Sequence, residues 1–186
     1  ELIYRLAVSE QPMIRAIREN LLVLINPVSE PDGRDKVVDW FYQYLKGKSD
    51  FDALPRQSPP YWSKYVFVDI NRDALLLQTP EGLALKALRD RVNPPIGFNL
   101  HNQNWRTSVG TPPRPAALSL LSVAYDEARS ENEGRRLTKR LCAVIRDAVE
   151  PLAPGMVGRY DDDFEVRAFG DNVTKWGTPV VLIESG

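Results

Sequence analysis

Apolar residues recur along the chain in two patterns, which predict short helices and short strands. Residues 1–9 and 12–19 carry apolar positions at helical spacing, and we interpret them as two amphipathic helices. Short continuous apolar runs are typical of strands that are covered on both faces. Such strands are predicted at LLVLIN (21–26), YVFVDI (65–70), PPIGFNLH (94–101), AALSLLSVA (116–124) and TPVVLIES (178–185).

Two longer helices are predicted from their start signals. Thr79-Pro80-Glu81 combines a cap residue, a proline at the first helical position and an early acid, and LALKALRDRV continues that helix. Ser130-x-x-Glu133 indicates a capping box at the start of a long helix, which Pro154-Gly155 ends. The apolar face predicted for this long helix consists of Leu137, Leu141, Val144, Ile145, Ala148 and Leu152.

The segments between these elements carry turn and loop residues. PDGRD (31–35) predicts a turn, VVDWFYQYL (37–45) is compatible with a helix, and the Pro-rich stretch 49–60 predicts a surface loop. Helices thus alternate with apolar strands, which predicts an α/β fold with a mixed, largely buried sheet flanked by helices.

The chain length and its two ends shape the domain prediction. The 186 residues suit a single domain over 1–186. The chain begins in what we interpret as the middle of a helix (ELIYRLAV) and stops directly after a strand (VVLIESG). We therefore expect an incomplete domain, truncated at both ends.

The composition of the chain argues against several classes of binding partner and site. The formal net charge is -1, so we expect neither nucleic acid nor an anionic membrane as a partner. No apolar stretch approaches the length of a membrane span. The single cysteine, Cys142, excludes an internal disulfide and a cysteine-rich zinc motif.

Unusual polar residues follow three of the predicted strands, where open α/β sheets place their ligands. His101 is the only histidine, and a neutral imidazole is a good zinc ligand. Glu184 could take a proton from a metal-bound water as general base, and Asn71 with Arg72 could grip a substrate carboxylate. Together these roles predict metal-assisted amide hydrolysis.

The motifs INPVSEPDG, VDINRD, FNLHNQ and GTPVVLIESG, in this order, resemble those of the zinc carboxypeptidase family, the funnelin-type peptidases related to carboxypeptidase A. The resemblance spans almost the entire chain. It implies a zinc-dependent metallocarboxypeptidase that removes C-terminal residues from peptides by attack of a metal-promoted water. It also implies a secreted or periplasmic location.

Site roles follow from the resemblance position by position. It implies that His101 is the third zinc ligand, that Glu184 is the general base and that Asn71 and Arg72 bind the substrate's terminal carboxylate. Arg56 would stabilise the oxyanion, Tyr160 would cover the substrate, and Asp69 would orient another zinc-bound histidine. The residue that sets side-chain specificity stays open among Arg159, Asp163 and Asp171.

One departure from the family pattern concerns the metal. The family supplies two zinc ligands from a His-x-x-Glu motif, which this chain lacks, and a catalytic zinc site needs about three protein ligands. We expect the two further ligands upstream of Glu1, and we expect the chain by itself to be inactive.

Two other functions stay open. One is an amidohydrolase of acylated amino acids, as in the aspartoacylase-like branch of the same superfamily. The other is a noncatalytic peptide-binding domain that has lost its zinc, in which His101 is a hydrogen-bonded structural residue and Arg72 forms a surface salt bridge with Asp73. The three aspartates at 161–163 are better explained as a solvated turn than as a calcium loop.

Overall fold

The computed structural model describes residues 1–47, 68–104 and 106–186. The chain forms two compact units, Glu1–Tyr61 and Trp62–Gly186. The expected single domain over 1–186 stays a prediction. In the described ranges, no helix combines the length and apolar character needed to span a membrane.

The first unit is helical in its described part. Helix α1 spans Leu2–Val8, α2 spans Pro12–Asn20, and α3 spans Pro31–Trp40 and continues as a π-helical turn over Phe41–Leu45. The Arg18 guanidinium joins α1 to α2, because it donates to the backbone carbonyls of Leu6 and Ser9. The two N-terminal helices predicted from the sequence are confirmed.

Two predictions for this unit are wrong. The run LLVLIN lies in no strand, because no described residue pairs with its backbone. The side chains of Leu21 to Ile25 are exposed. An apolar run becomes a strand only where a partner takes up its backbone groups. PDGRD is not a turn but the start of α3, because Pro31 takes the first helical position and Asp32 places an acid in the first turn.

The second unit contains a mixed sheet between helices. Its strands are β1 (Gly97–Asn102), β2 (Ser108–Val109), β3 (Arg114–Pro115), β4 (Leu118–Ser122), β5 (Val157–Arg159) and β6 (Val180–Ser185). Its helices are a 3₁₀ turn (Ile70–Arg72), α4 (Pro80–Val92), α5 (Glu133–Val149) and α6 (Phe169–Lys175). The four-stranded sheet has the order β1-β6-β4-β5, and β2 pairs with β3 separately.

Strand direction alternates across the four-stranded sheet. The β1–β6 and β4–β5 pairs are parallel, whereas β4 and β6 are antiparallel. Helix α5 lies against one face, where the Thr138 hydroxyl is 2.7 Å from the Ser122 hydroxyl. On the opposite face, Asn99 Nδ2 lies 3.4 Å from where a Cβ on Gly170 of α6 would stand. The mixed α/β architecture with helices on both faces is thus confirmed within the described residues.

The sheet is less buried than the sequence predicts. Val181 at its centre is fully buried, but β1 is an edge strand within the described part of the chain, and Phe98 and Leu100 are exposed. Two strand ends also differ from prediction. The described end of YVFVDI, residues 68–70, runs into the 3₁₀ turn, and β1 ends at Asn102, one residue beyond His101. Residues 65–67 and the predicted loop 49–60 lie outside the described residues.

The start of α4 is confirmed and rests on a buried aspartate. The Thr79 side chain caps the helix by accepting from the Gly82 amide. Asp73 in turn accepts hydrogen bonds from the Gln78 amide and from both the amide and hydroxyl of Thr79. Asp73 is therefore a structural residue that holds the helix start, and the possible Arg72–Asp73 surface salt bridge is absent from the described contacts.

The capping box predicted for α5 is wrong. Asn132 is the cap, and its side-chain oxygen accepts from the Arg135 amide at 2.7 Å. Much of the predicted apolar face is also turned outward, since Val144 and Ala148 are exposed whereas Arg135 and Thr138 are buried, and Leu152 lies beyond the end of the helix. The start of the helix packs closely against the residue before β6, because a Cβ on Gly134 would stand 2.6 Å from the Pro179 ring.

Candidate functional site

His101 and Glu184 occupy paired positions on the parallel strands β1 and β6. Residues directly opposite each other on neighbouring strands project their side chains from the same face of the sheet. The imidazole and the carboxylate therefore stand side by side on the face that α6 covers in part. His101 is exposed, and its ring makes no hydrogen bond or ion pair with the described residues.

Glu184 is the more unusual member of this pair. It is only 7% exposed, yet its carboxylate makes no hydrogen bond or ion pair with any residue in the described ranges. Neither carboxylate oxygen is among the buried side-chain atoms that lack a partner, so both reach solvent although the rest of the side chain is covered. The carboxylate is thus available to an outside group.

The same face continues onto β4 and β5. Ser119 is opposite Glu184 on the antiparallel strand β4, and Gly158 is opposite Ser119 on β5. The Ser119 hydroxyl donates to Gln103 Oε1 at 2.8 Å, and Gln103 Nε2 donates to the Ala116 carbonyl. This network ties the chain just beyond His101 to β4 and occupies the Ser119 hydroxyl, so Ser119 is not a partner of Glu184.

Tyr160 directly follows β5 and lies near Glu184, whose charge acts on its hydroxyl. Its amide donates to the Leu120 carbonyl, which fixes the backbone against β4. Burial raises the pKa of the Tyr160 hydroxyl, and the negative charges of Glu184 and Asp161 raise it further. At neutral pH the hydroxyl therefore keeps its proton and can donate a hydrogen bond near Glu184.

Asn71 and Arg72 belong to the 3₁₀ turn, not to a strand end, and they contact the segment that leads into α6. Asn71 Oδ1 accepts from the Phe169 amide at 3.2 Å, which leaves the two amide protons of Asn71 for other partners. The Arg72 guanidinium is 41% exposed and faces Glu165, with Nε 3.8 Å from Oε2. These two side chains place hydrogen-bond donors beside the first turn of α6.

Two carboxylates share the surroundings of Arg72. The Arg167 amide and guanidinium donate to Glu165 and lower its pKa, and the charge of Arg72 acts in the same direction. Asp171 differs, because burial raises its pKa to about 6 and the nearby charge of Glu165 adds to the rise. Arg72 therefore faces one ionised carboxylate and one that titrates just below neutrality.

Asn99 lies between the two clusters. It precedes His101 by two residues on β1, so both project from the same face, and its side chain lies near Gly170 of α6. Gly170 lies between Phe169, which bonds to Asn71, and Asp171. No described hydrogen bond or ion pair joins Arg72 directly to His101 or Glu184, so the structure pairs His101 with Glu184 and connects Arg72 only indirectly.

The other predicted site residues have separate positions. Asp69 accepts from the Asn71 amide at 2.9 Å and thereby caps the 3₁₀ turn. Among the three specificity candidates, Arg159 ends β5, Asp163 pairs with Arg129 on the surface, and only Asp171 lies beside Arg72. Arg56 lies outside the described residues.

The described residues do not form a metal site by themselves. They contain no group of three or more His, Cys, Asp or Glu side chains placed to hold a metal ion. The exposed His101 imidazole could supply one ligand, whereas a catalytic zinc site requires about three protein ligands.

Sequence reasoning missed several contributors to this face. The alternation of side chains along a strand could have indicated Asn99 and Gln103, since each lies two residues from His101. Ser119 required the register between β4 and β6, and the pairing of Glu165 with Arg72 required the tertiary fold. No local signal in the sequence predicts either of these two.

Comparison of the chain with protein-family models, with curated proteins and with solved structures finds no match.

Proposed function

We propose that this chain carries part of the catalytic centre of a zinc-dependent peptidase of the carboxypeptidase type, which hydrolyses the amide bond next to a free C-terminal carboxylate. The observation that carries the proposal is the pair of His101 and Glu184. The carboxylate of the largely covered Glu184 has no partner among the described residues and reaches solvent beside an exposed imidazole that also has none, on one face of the sheet. This is the combination that a general base next to a metal ligand requires.

Each residue has a defined task in the proposed reaction. Glu184 accepts the proton of the attacking water and delivers it to the leaving amine. Asn71 and Arg72 donate to the terminal carboxylate of the substrate, which would displace Glu165 from the guanidinium. Tyr160 donates its hydroxyl proton in a hydrogen bond to the substrate.

His101 would hold the zinc ion together with ligands from outside the described residues. When bound, the ion acts as a Lewis acid that polarises the scissile carbonyl and acidifies water. The partner of this chain is accordingly a peptide, or a small amide, with a free carboxylate.

The test compares the wild-type protein of full natural length with the variants Glu184→Gln, His101→Ala and Arg72→Met. Peptides with a free carboxylate and the same peptides as C-terminal amides serve as substrates. We expect Glu184→Gln to reduce kcat at least about 10³-fold with zinc still bound, His101→Ala to weaken zinc binding, and Arg72→Met to raise KM for the free acids only. Unchanged hydrolysis in Glu184→Gln would exclude this mechanism.

A panel of substrates distinguishes the two possible enzymatic functions, carboxypeptidase and amidohydrolase. Release of C-terminal residues from peptides supports the carboxypeptidase, whereas exclusive cleavage of acylated amino acids supports an amidohydrolase. Peptide binding by a protein that binds no zinc would identify the chain as a noncatalytic binding domain.

A further inference from the structure

The segment that carries Tyr160 is tied to α5 by an ion pair between Arg135 and Asp162. Arg135 is 2% exposed, and its Nη2 donates to both carboxylate oxygens of Asp162, at 2.7 and 2.9 Å. Its Nη1 donates to the backbone carbonyl of Arg129. A buried arginine held in this way is costly to break, because removing its partner leaves a charge without compensation.

Asp162 lies two residues after Tyr160, and neither of its neighbours is anchored in the interior by its side chain. The Tyr160 amide donates to the Leu120 carbonyl of β4. Asp161 is exposed and accepts from the Asp163 amide, and Asp163 pairs with the exposed Arg129. Asp162 is therefore the residue of this segment whose side chain is fixed to the interior of the second unit.

We propose that Arg135 is a positioning residue: through its ion pair with Asp162 it holds the Tyr160 side chain near Glu184. The consequence for hydrolysis rests on the proposed function, but the geometry does not. Arg135 itself touches neither Tyr160 nor Glu184 by any described hydrogen bond or ion pair, so its effect passes through the backbone of residues 160–162.

The experiment measures how strongly Tyr160 and Glu184 sense each other. The Tyr160 hydroxyl is titrated by the NMR signal of a ¹³C-labelled ring carbon, assigned with Tyr160→Phe, in the presence and absence of Glu184→Gln. We expect Glu184→Gln to lower the Tyr160 titration midpoint by about 0.5 pH unit in the otherwise wild-type protein, since it removes a nearby negative charge.

The pair is then broken by Asp162→Asn. We expect the effect of Glu184→Gln on Tyr160 to fall by at least half in this background. Asp163→Asn is the matched control, because it makes the same chemical change one residue along and breaks only the surface pair with Arg129. In that background the effect of Glu184→Gln should persist in full.

Further variants guard against loss of folding. Arg135→Met combined with Asp162→Asn removes both charges and leaves no unpaired guanidinium, and it should show the same reduced effect. Asp162→Glu keeps a carboxylate for Arg135 and should retain the effect. An undiminished effect in Asp162→Asn, an equal loss in Asp163→Asn, or no effect of Glu184→Gln in the wild type would each overturn the proposal.

The titration needs neither zinc nor substrate, so the two proposals can fail separately. Coupling between Tyr160 and Glu184 without hydrolysis would overturn the proposed function and leave the role of Arg135 intact. Hydrolysis that depends on Glu184, with no coupling between Glu184 and Tyr160, would support the proposed function and overturn the role of Arg135.

Discussion

Glu184 and His101 lie directly opposite each other on two parallel strands, with the glutamate largely covered and the imidazole exposed. Neither side chain has a hydrogen-bond or ion-pair partner among the described residues, and the carboxylate oxygens reach solvent. Both groups are therefore able to bind a group from outside the chain without breaking an existing contact.

Glu184→Gln should abolish the proposed activity and leave the stability nearly unchanged. The carboxylate has no partner to lose among the described residues, and its oxygens reach solvent, so the free energy of unfolding at pH 7 should stay within about 0.5 kcal/mol of wild type. Denaturant unfolding measures the change. Glu165→Gln is the control, because it removes an acceptor that is hydrogen-bonded to Arg167, and its loss should not stabilise the protein. A clear loss of stability in Glu184→Gln would show that Glu184 has a structural role instead.

Asp73→Asn should destabilise the second unit by about 2 kcal/mol, because the new amide protons would face the Thr79 amide and hydroxyl that now donate to the carboxylate. Burial opposes ionisation of Asp73, but the bonds from Thr79 and Gln78 outweigh it and lower the pKa below its ordinary value of 3.8.

The sign of the pH dependence for Asp73 follows from that lowered pKa. Its contribution is fully present well above pH 3.8 and is lost as pH falls through the lower value of the folded state. The difference between wild type and Asp73→Asn should thus be constant near neutrality and shrink in acid. Urea unfolding at several pH values checks this, and a difference that grows in acid would refute it.

Asp171→Asn should show the opposite pH dependence. Burial raises the pKa of Asp171 from 3.8 to about 6, so its ionised form is disfavoured in the folded state. The resulting penalty is absent below the unfolded value, grows between 3.8 and about 6, and is complete above that.

Asparagine keeps the oxygen that accepts from the Glu165 amide and removes the charge. We therefore expect Asp171→Asn to add about 1 kcal/mol of stability at pH 8 and almost nothing near pH 4. Thermal unfolding at the two pH values makes the comparison. A gain that is equal at both would show that charge is not the cause.

Asn132→Ala should cost about 1 kcal/mol, because Asn132 supplies the side-chain cap of α5. Ser130→Ala tests the alternative capping box predicted from the sequence, and it should cost clearly less. The measurement is the free energy of unfolding of both variants, and a larger loss in Ser130→Ala would restore the capping box.

The contrast between LLVLIN and TPVVLIES shows that an apolar run alone does not determine whether a segment becomes a strand. Both are short apolar runs, yet only the second is a strand, β6, because it lies between β1 and β4 and both neighbours take up its backbone groups. The start of α4 was predicted correctly, because Thr79 is the one residue there whose side chain can cap the helix. At α5, two residues that can cap a helix, Ser130 and Asn132, lie within three positions, and the sequence did not show which of them is the cap.

The sequence likewise predicted some features of the candidate site and missed others. The alternating pattern around His101 and the apolar run before Glu184 place each residue on a strand, but neither reveals that the two strands are neighbours in register. The prediction that Asn71 and Arg72 lie at a strand end was wrong, because they belong to a 3₁₀ turn whose N-terminus is capped by the Asp69 side chain. Their link to α6 depends on Phe169, which is about a hundred positions further along the chain.

The sequence alone determined which segments form helices and strands wherever a strong period or a capping residue was present, and it determined that His101 and Glu184 each lie on a strand. Only the tertiary structure decided that these two residues lie beside each other, that the Glu184 carboxylate has no partner among the described residues, and that Arg135 reaches Asp162. The physical reason is that periodicity and capping are local, whereas register, burial and ion pairing depend on which distant segment supplies the neighbouring surface.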